Sequence, residues 1–256
     1  MKIDHPCSWI IDRLKRSRPF FAVRFNDGEH TGMYRTRPEG TVLGTDANPA
    51  PLHYEWGDAL NQMFAEMNTY DPRKLLIGCS WDTGREDDLS RRFGKDVVKR
   101  EMQDFKWCNE HWPLDGVVDG STIRMLQYLG EYVPTILVTN EKLKDARYCI
   151  DSSWIEVPSD DSWNARERIY QECIMYAKGG CTFVWAAGVG LKPTAWQLFK
   201  AFPQSSHIDV GHLFNGAFGF TDYGWLARKD GPWYESYFRE FAPWVKGLSS
   251  ANTHNS

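Results

Sequence analysis

None of the six cysteines (Cys7, Cys79, Cys108, Cys149, Cys173 and Cys181) stands at CxxC spacing from another, so neither a zinc ribbon nor a dithiol redox pair is encoded. The first twenty residues carry charges throughout and lack the apolar core of a secretory leader. Scattered thiols without such an address lead to the expectation of a reduced, cytoplasmic protein. No apolar run approaches the roughly 18–20 residues a membrane-spanning helix requires. The formal net charge of −4 provides no basic excess of the kind that grips a nucleic-acid backbone. The basic residues near the start (Arg13, Lys15, Arg16, Arg18, Arg24) read first as a solvated face. Internal repeats and low-complexity stretches are also missing.

What remains is an ordinary globular composition, 42% hydrophobic and 25% charged. A length of 256 residues is enough to bury one large core. A single domain is expected over residues 1–248, with the polar stretch 249–256 as a disordered tail. Twelve tryptophans are many for this length. Their faces suit sugars, but core packing is the first explanation for any one of them.

Periodicity predicts helices over residues 8–17 (with Ser8 as N-cap), 55–68, 122–129, 141–146, 163–178 and 194–202, and a charged helical surface over 86–103. Compact apolar runs predict strands over 20–25, 75–79, 135–138, 153–157, 181–187 and 206–210. Strands apolar on both faces, alternating with helices, predict an α/β fold: a single Rossmann-like domain with a mostly parallel sheet flanked by helices. The aromatic-rich residues 214–245 are expected to pack as a C-terminal extension.

Three segments carry candidate chemistry. Arg24-Phe-Asn-Asp27-Gly-Glu29 leaves a strand end, where open α/β sheets bind ligands. Asp27 and Glu29 are hard oxygen ligands at a spacing that can face one Mg²⁺ or Mn²⁺. Gly188-Val-Gly190-Leu-Lys192-Pro-Thr194 joins an apolar strand to a helix. Its glycines admit a ligand close to the backbone, and the helix start favours phosphate. It is neither a complete GxGxxG nor a Walker A loop, and the acid nearest the ribose-partner position of a dehydrogenase, Asp209, precedes a Gly-His rather than serving that role. His207-Ile-Asp209-Val-Gly-His212 closes the last strand, and its Asp209 and His212 can act as an orienting group and a base. Weaker candidates are Asp160, Asp161 and Ser162, which also read as helix caps, and Arg124, which also reads as a local ion pair.

Taken in order, these segments resemble the GT-D-type glycosyltransferases, first catalogued as a bacterial domain of unknown function. Phe21-Ala-Val-Arg-Phe-Asn-Asp-Gly-Glu29 resembles that family's RFGDGE strand and turn, with Asn26 in place of a glycine. Gly190-Leu-Lys-Pro-Thr-Ala195 resembles its GPTA turn, with Leu191 and Lys192 inserted. Ile208-Asp-Val-Gly-His212 resembles its DIGH strand end. The following segment departs from the family: Leu213-Phe-Asn-Gly-Ala-Phe-Gly219 contains no acid, and the first is Asp222.

The resemblance implies a Rossmann-like fold, a UDP-sugar donor and a divalent ion (Mn²⁺ or Mg²⁺) at the DxE motif. It implies Asp27 and Glu29 as metal ligands, and Asp27, Glu29, Asp209 and His212 as catalytic residues. Arg24, Gly188, Gly190, Lys192 and Thr194 are the expected donor contacts. The expected reaction moves a hexose, with glucose the first candidate, to a hydroxyl on a glycan, a glycoprotein or modified DNA. The alternative is a nucleotide- or sugar-binding module without catalysis.

Overall fold

Short apolar runs fix strands that must be covered on both faces, and the longer segments between them supply helices for that purpose. The computed structural model describes residues 2–25, 29, 54–79, 106–109, 111–159, 162–220, 226 and 231–253. The expected helical surface over 86–103 lies outside these, as do Asp27, Asp160, Asp161 and Asp222.

The described elements are α1 (Pro6–Lys15), β1 (Phe21–Phe25), α2 (Tyr54–Met67), β2 (Leu75–Cys79), β3 (Lys106–Cys108), α3 (Trp112–Val118), α4 (Ser121–Tyr132) and β4 (Thr135–Asn140). After them come β5 (Ser153–Val157), α5 (Arg166–Ala177), β6 (Thr182–Ala186), α6 (Lys192–Ala201), β7 (Ser206–Asp209), α7 (Gly231–Ser236) and α8 (Ala242–Thr253). The strands form one seven-stranded sheet in the order β3-β2-β1-β7-β6-β4-β5. Every pairing is parallel, as the doubly apolar strands predict. The strands β1, β7 and β6 are therefore the three central ones, and their carboxyl ends lie side by side.

Strand alternation divides the apolar side chains between two cores. Phe21, Val23 and Phe25 of β1, with Phe183 and Trp185 of β6, face α2, α5 and α6. Ala22, Leu76, Leu137, Val184 and Ile208 face α1, α3, α4 and the C-terminal helices. Trp112 and Trp196 are completely buried, so these two serve as core.

Several expectations require correction. The first helix begins at Pro6, with His5 at the cap position; proline suits the first turn because its missing N–H has no intrahelical acceptor there, and Ser8 lies inside the helix. The helix expected from Trp163 starts at Arg166. Residues Glu141–Cys149 form 3₁₀ turns rather than an α-helix. Strand β3 and helix α3 were not foreseen, since three and seven residues are too short to display a period.

The aromatic-rich C-terminal residues pack against the domain as the sequence leads one to expect. Tyr237, Phe241 and Val245 are buried in the same core as α1, α3 and α4, and α8 continues to Thr253. The tail expected to fray from Ser249 is thus helical for its first five residues. Its Ser249 hydroxyl donates to the Asp145 carbonyl at 3.1 Å, which anchors the last turn.

The Tyr237 hydroxyl donates to the Leu213 carbonyl at 2.6 Å and accepts from the Ala217 amide at 3.1 Å. It thereby holds the chain that follows β7 against the C-terminal helices. Tyr237→Phe leaves both backbone groups without this partner, at a cost of about 1–3 kcal/mol. A lowered urea midpoint with an unchanged m-value is expected; a midpoint equal to wild type would show that the hydroxyl holds nothing.

Candidate active site

The carboxyl ends of the three central strands deliver the candidate residues. Arg24 lies near the end of β1, and Glu29 follows it. Lys192 opens α6 after β6, and Asp209 is the last residue of β7. Between β6 and α6, Gly188 has φ +77° and would carry a Cβ into open space. Gly190 packs against Ser162 and Trp163, with only 3.3 Å from a built Cβ to the Ser162 hydroxyl. The first glycine is required by backbone conformation and the second by the close approach of a neighbouring loop. Pro193, which has no N–H, occupies the first turn of α6; no side chain caps that helix, and the Lys192 amide donates to the Val189 carbonyl of the preceding 3₁₀ turn.

Lys192 is the junction of the site. A side chain at a helix start leans back past the amino end of the helix, which here carries the ammonium over the strand ends. Nζ lies 2.5 Å from Glu29 Oε1 and 2.7 Å from Asp209 Oδ2, and it also donates to the Arg24 carbonyl oxygen. All three side chains are nearly inaccessible: 8% exposed for Lys192, 4% for Glu29 and 11% for Asp209. Leu191, the residue before the lysine, is buried in the core beneath α6.

Asp209 is held from further directions. Its Oδ1 accepts from the Gly211 amide at 2.9 Å, and its Oδ2 accepts from the Arg24 amide at 3.1 Å. Burial by itself would raise its pKa. The charges of Lys192 and Arg24, with these hydrogen bonds, outweigh burial and keep the carboxyl below its ordinary value. The Arg24 guanidinium lies 3.8 Å from Asp209 and passes directly over Gly211, where a Cβ would come within 1.6 Å of Nη2.

His212 is exposed at the rim of the site; the protein mass around it, followed by the charge of Arg24, lowers its pKa, against the opposing pull of Glu29 and Asp209. Its imidazole is therefore neutral at pH 7. His207, in the same sequence motif, belongs to the core. It stacks on Phe183 and Trp185, accepts from Trp185 Nε1 at 3.1 Å and contacts the Ser205 hydroxyl at 3.0 Å. Burial pushes its pKa down to about 3.

The structure thus brings Arg24, Glu29, Lys192, Asp209 and His212 together, with Gly188, Gly190 and buried Thr194 on the adjoining turn and helix. Arg124 donates locally to the Asp119 carbonyl and lies apart. Gly211 was missed by sequence reasoning, although a glycine between an acid and a histidine at a strand end was a visible signal of close approach.

A divalent ion does not fit between Glu29 and Asp209. The lysine ammonium already fills that position, and among the described residues no group of three or more His, Cys, Asp or Glu side chains is placed to hold a metal. Nor is any helix among them long and apolar enough to cross a membrane.

No family model and no curated protein matches the chain. Solved structures do. One is described as a new glycosyltransferase (DUF1792) from Streptococcus sanguinis; it superimposes with a TM-score of 0.54 at 13% identity over 89% of this chain and 84% of that one. Another, described as the domain of unknown function 1792 with a distinct glycosyltransferase fold, gives 0.53 at 15% identity over 89% and 81%.

Gly211→Ala places a methyl group where the Arg24 guanidinium lies, at a φ of +52° that by itself costs alanine about 1–2 kcal/mol. Urea unfolding should show at least that loss; equal stability would mean that Arg24 is not held over this glycine. With these residues assembled at the ends of its central strands, the chain has the distinct glycosyltransferase fold of the DUF1792 domain.

Proposed function

We propose that this protein is a glycosyltransferase that moves a hexose from a nucleotide sugar, UDP-linked in the first instance, to an acceptor hydroxyl. The observation that carries the reading is the meeting of Glu29, Lys192 and Asp209 where a glycine turn enters α6. The fold shared with DUF1792 structures supports it.

In this reading the donor diphosphate lies against the turn at Gly188 and Gly190 and the uncapped start of α6. The dipole of α6 favours an anion there. Thr194 in the first turn and the Arg24 guanidinium add polar contacts. As the bond to the anomeric carbon breaks, negative charge grows on the departing diphosphate, and groups already in place stabilise it without reorganising.

The acceptor proton goes to His212 in an inverting transfer. Glu29 and Asp209 already accept hydrogen bonds from Lys192, whereas the imidazole is neutral and so able to take a proton. The cation of the site takes one of two forms: a divalent ion on Asp27 and Glu29, as the sequence resemblance implies, or the protein's own Lys192. Glycans, glycoproteins and modified DNA are the proposed acceptor classes, and a cytoplasmic setting is part of the same proposal.

A saturating nucleotide sugar, at about 100 times its Kd, stabilises the fold by about 2.7 kcal/mol, or about 5–10 °C in Tm for a domain of this size. A screen of UDP- and other nucleotide-linked hexoses should find such a shift, together with sugar transfer or slow donor hydrolysis. A shift without any turnover would favour a binding module instead, and no shift with any donor would reject both readings. Loss of turnover in the double variant Asp27→Ala, Glu29→Ala is expected, and turnover that survives it would remove these carboxylates from the reaction.

The histidine gives a pH signature. Because its pKa is held below 6.5, kcat/KM should remain level as pH falls through 6.5 and decline only at lower pH. His212→Ala should lower kcat by about 10²–10⁴ and remove that decline, and a variant within a few-fold of wild type would exclude His212 as the base.

A further inference from the structure

Two carboxylates beside a diphosphate repel it, and in a pocket closed to water that repulsion must be met by a nearby cation. Around Lys192 Nζ stand three oxygens: Glu29 Oε1 at 2.5 Å, Asp209 Oδ2 at 2.7 Å and the Arg24 carbonyl. These are close to the distances, about 2.0–2.6 Å, at which oxygens surround Mg²⁺ or Ca²⁺. The three N–H donors of the ammonium meet three acceptors, which is its full complement. A metal touching the same two carboxylate oxygens would have to occupy the space of the ammonium itself.

The lysine is also fixed in place. Leu191, buried in the core, fixes the backbone from which the side chain starts, and the three acceptors hold the ammonium. Leu191 and Lys192 are the two residues by which this turn is longer than the motif it resembles, so the insertion that lengthens the loop is also what delivers the ammonium.

Building on the donor-binding reading, we infer that Lys192 is the resident cation of the site. It stands in for a divalent ion between Glu29 and Asp209, and a nucleoside diphosphate binds beside it without added metal. Lys192 is a positioning residue here: it holds both carboxylates neutralised and in register, and leaves Arg24 and the helix start to face the phosphates.

The test is calorimetric titration of the full chain with UDP, GDP and ADP, in EDTA and again with Mn²⁺. It is paired with the effect of Mn²⁺ on Tm for wild type and Lys192→Ala. For wild type, the affinity in EDTA should lie within about 3-fold of that in Mn²⁺, and Mn²⁺ should leave Tm unmoved. Lys192→Ala vacates the space between the two carboxylates. Mn²⁺ should then raise its Tm by several degrees, and diphosphate affinity should become dependent on Mn²⁺ by about 10-fold or more, a rescue that a merely structural lysine would not permit.

If wild type binds a nucleoside diphosphate only with Mn²⁺, the inference falls and the transferase reading stands. If the variant folds but ignores Mn²⁺, the inference likewise falls. Should the variant not fold, the wild-type titrations decide. If wild type binds no nucleoside diphosphate under either condition, both the inference and the transferase reading are overturned.

Discussion

The site is organised by a buried ammonium shared between two carboxylates that belong to distant parts of the chain. Ion pairs of this kind contribute little to net stability, because desolvation offsets their attraction. Removing one partner, however, leaves an uncompensated buried charge at a cost of about 3–5 kcal/mol. Lys192, Glu29 and Asp209 therefore act as a constraint: the ends of β1 and β7 and the start of α6 must meet, or a charge is stranded in the interior. The backbone amides of Arg24 and Gly211, both donating to Asp209, tighten the same junction. A carboxylate held by two amides and an ammonium has few orientations left.

The sheet makes this meeting possible. In the order β3-β2-β1-β7-β6-β4-β5, the last strand lies between the first and the sixth. Arg24 and Asp209, 185 positions apart in sequence, thus become neighbours, at a loop-closure cost that grows only slowly with separation. The C-terminal helices support the arrangement from the opposite face. Tyr237 fastens the chain after β7 through Leu213 and Ala217, and α8 packs onto the 3₁₀ turns after β4. The aromatic extension that composition suggested packs as the wall of one of the two cores.

The histidines show how alike two residues can look in sequence and how differently they are used. His207 and His212 flank the same strand end. His207 alternates onto the face packed with Phe183, Trp185 and Phe199, where two hydrogen bonds and stacked rings satisfy it. His212 lies beyond the strand, beyond reach of the period-2 pattern, and there it senses the charges of Arg24, Glu29, Asp209 and Lys192. Both pKa values are lowered, that of His207 by full burial, but only His212, exposed at the strand end, has charged neighbours with which to exchange roles.

Local pattern determined the parallel α/β class, the positions of six of the seven strands and the location of the candidate residues at strand ends. Each of these follows from periodicities and turn residues that act over a few positions. The weak signals were lost for the same reason: β3 has three residues, α3 has seven, and α1 begins on a proline rather than on the serine two residues later. The tertiary structure alone decided which polar groups share an environment. Nothing near Lys192 in sequence shows that its ammonium reaches Glu29 and Asp209, and nothing near Gly211 shows that Arg24 lies across it. Charge pairing and close approach depend on distances in space, and those are set only when the central strands come together.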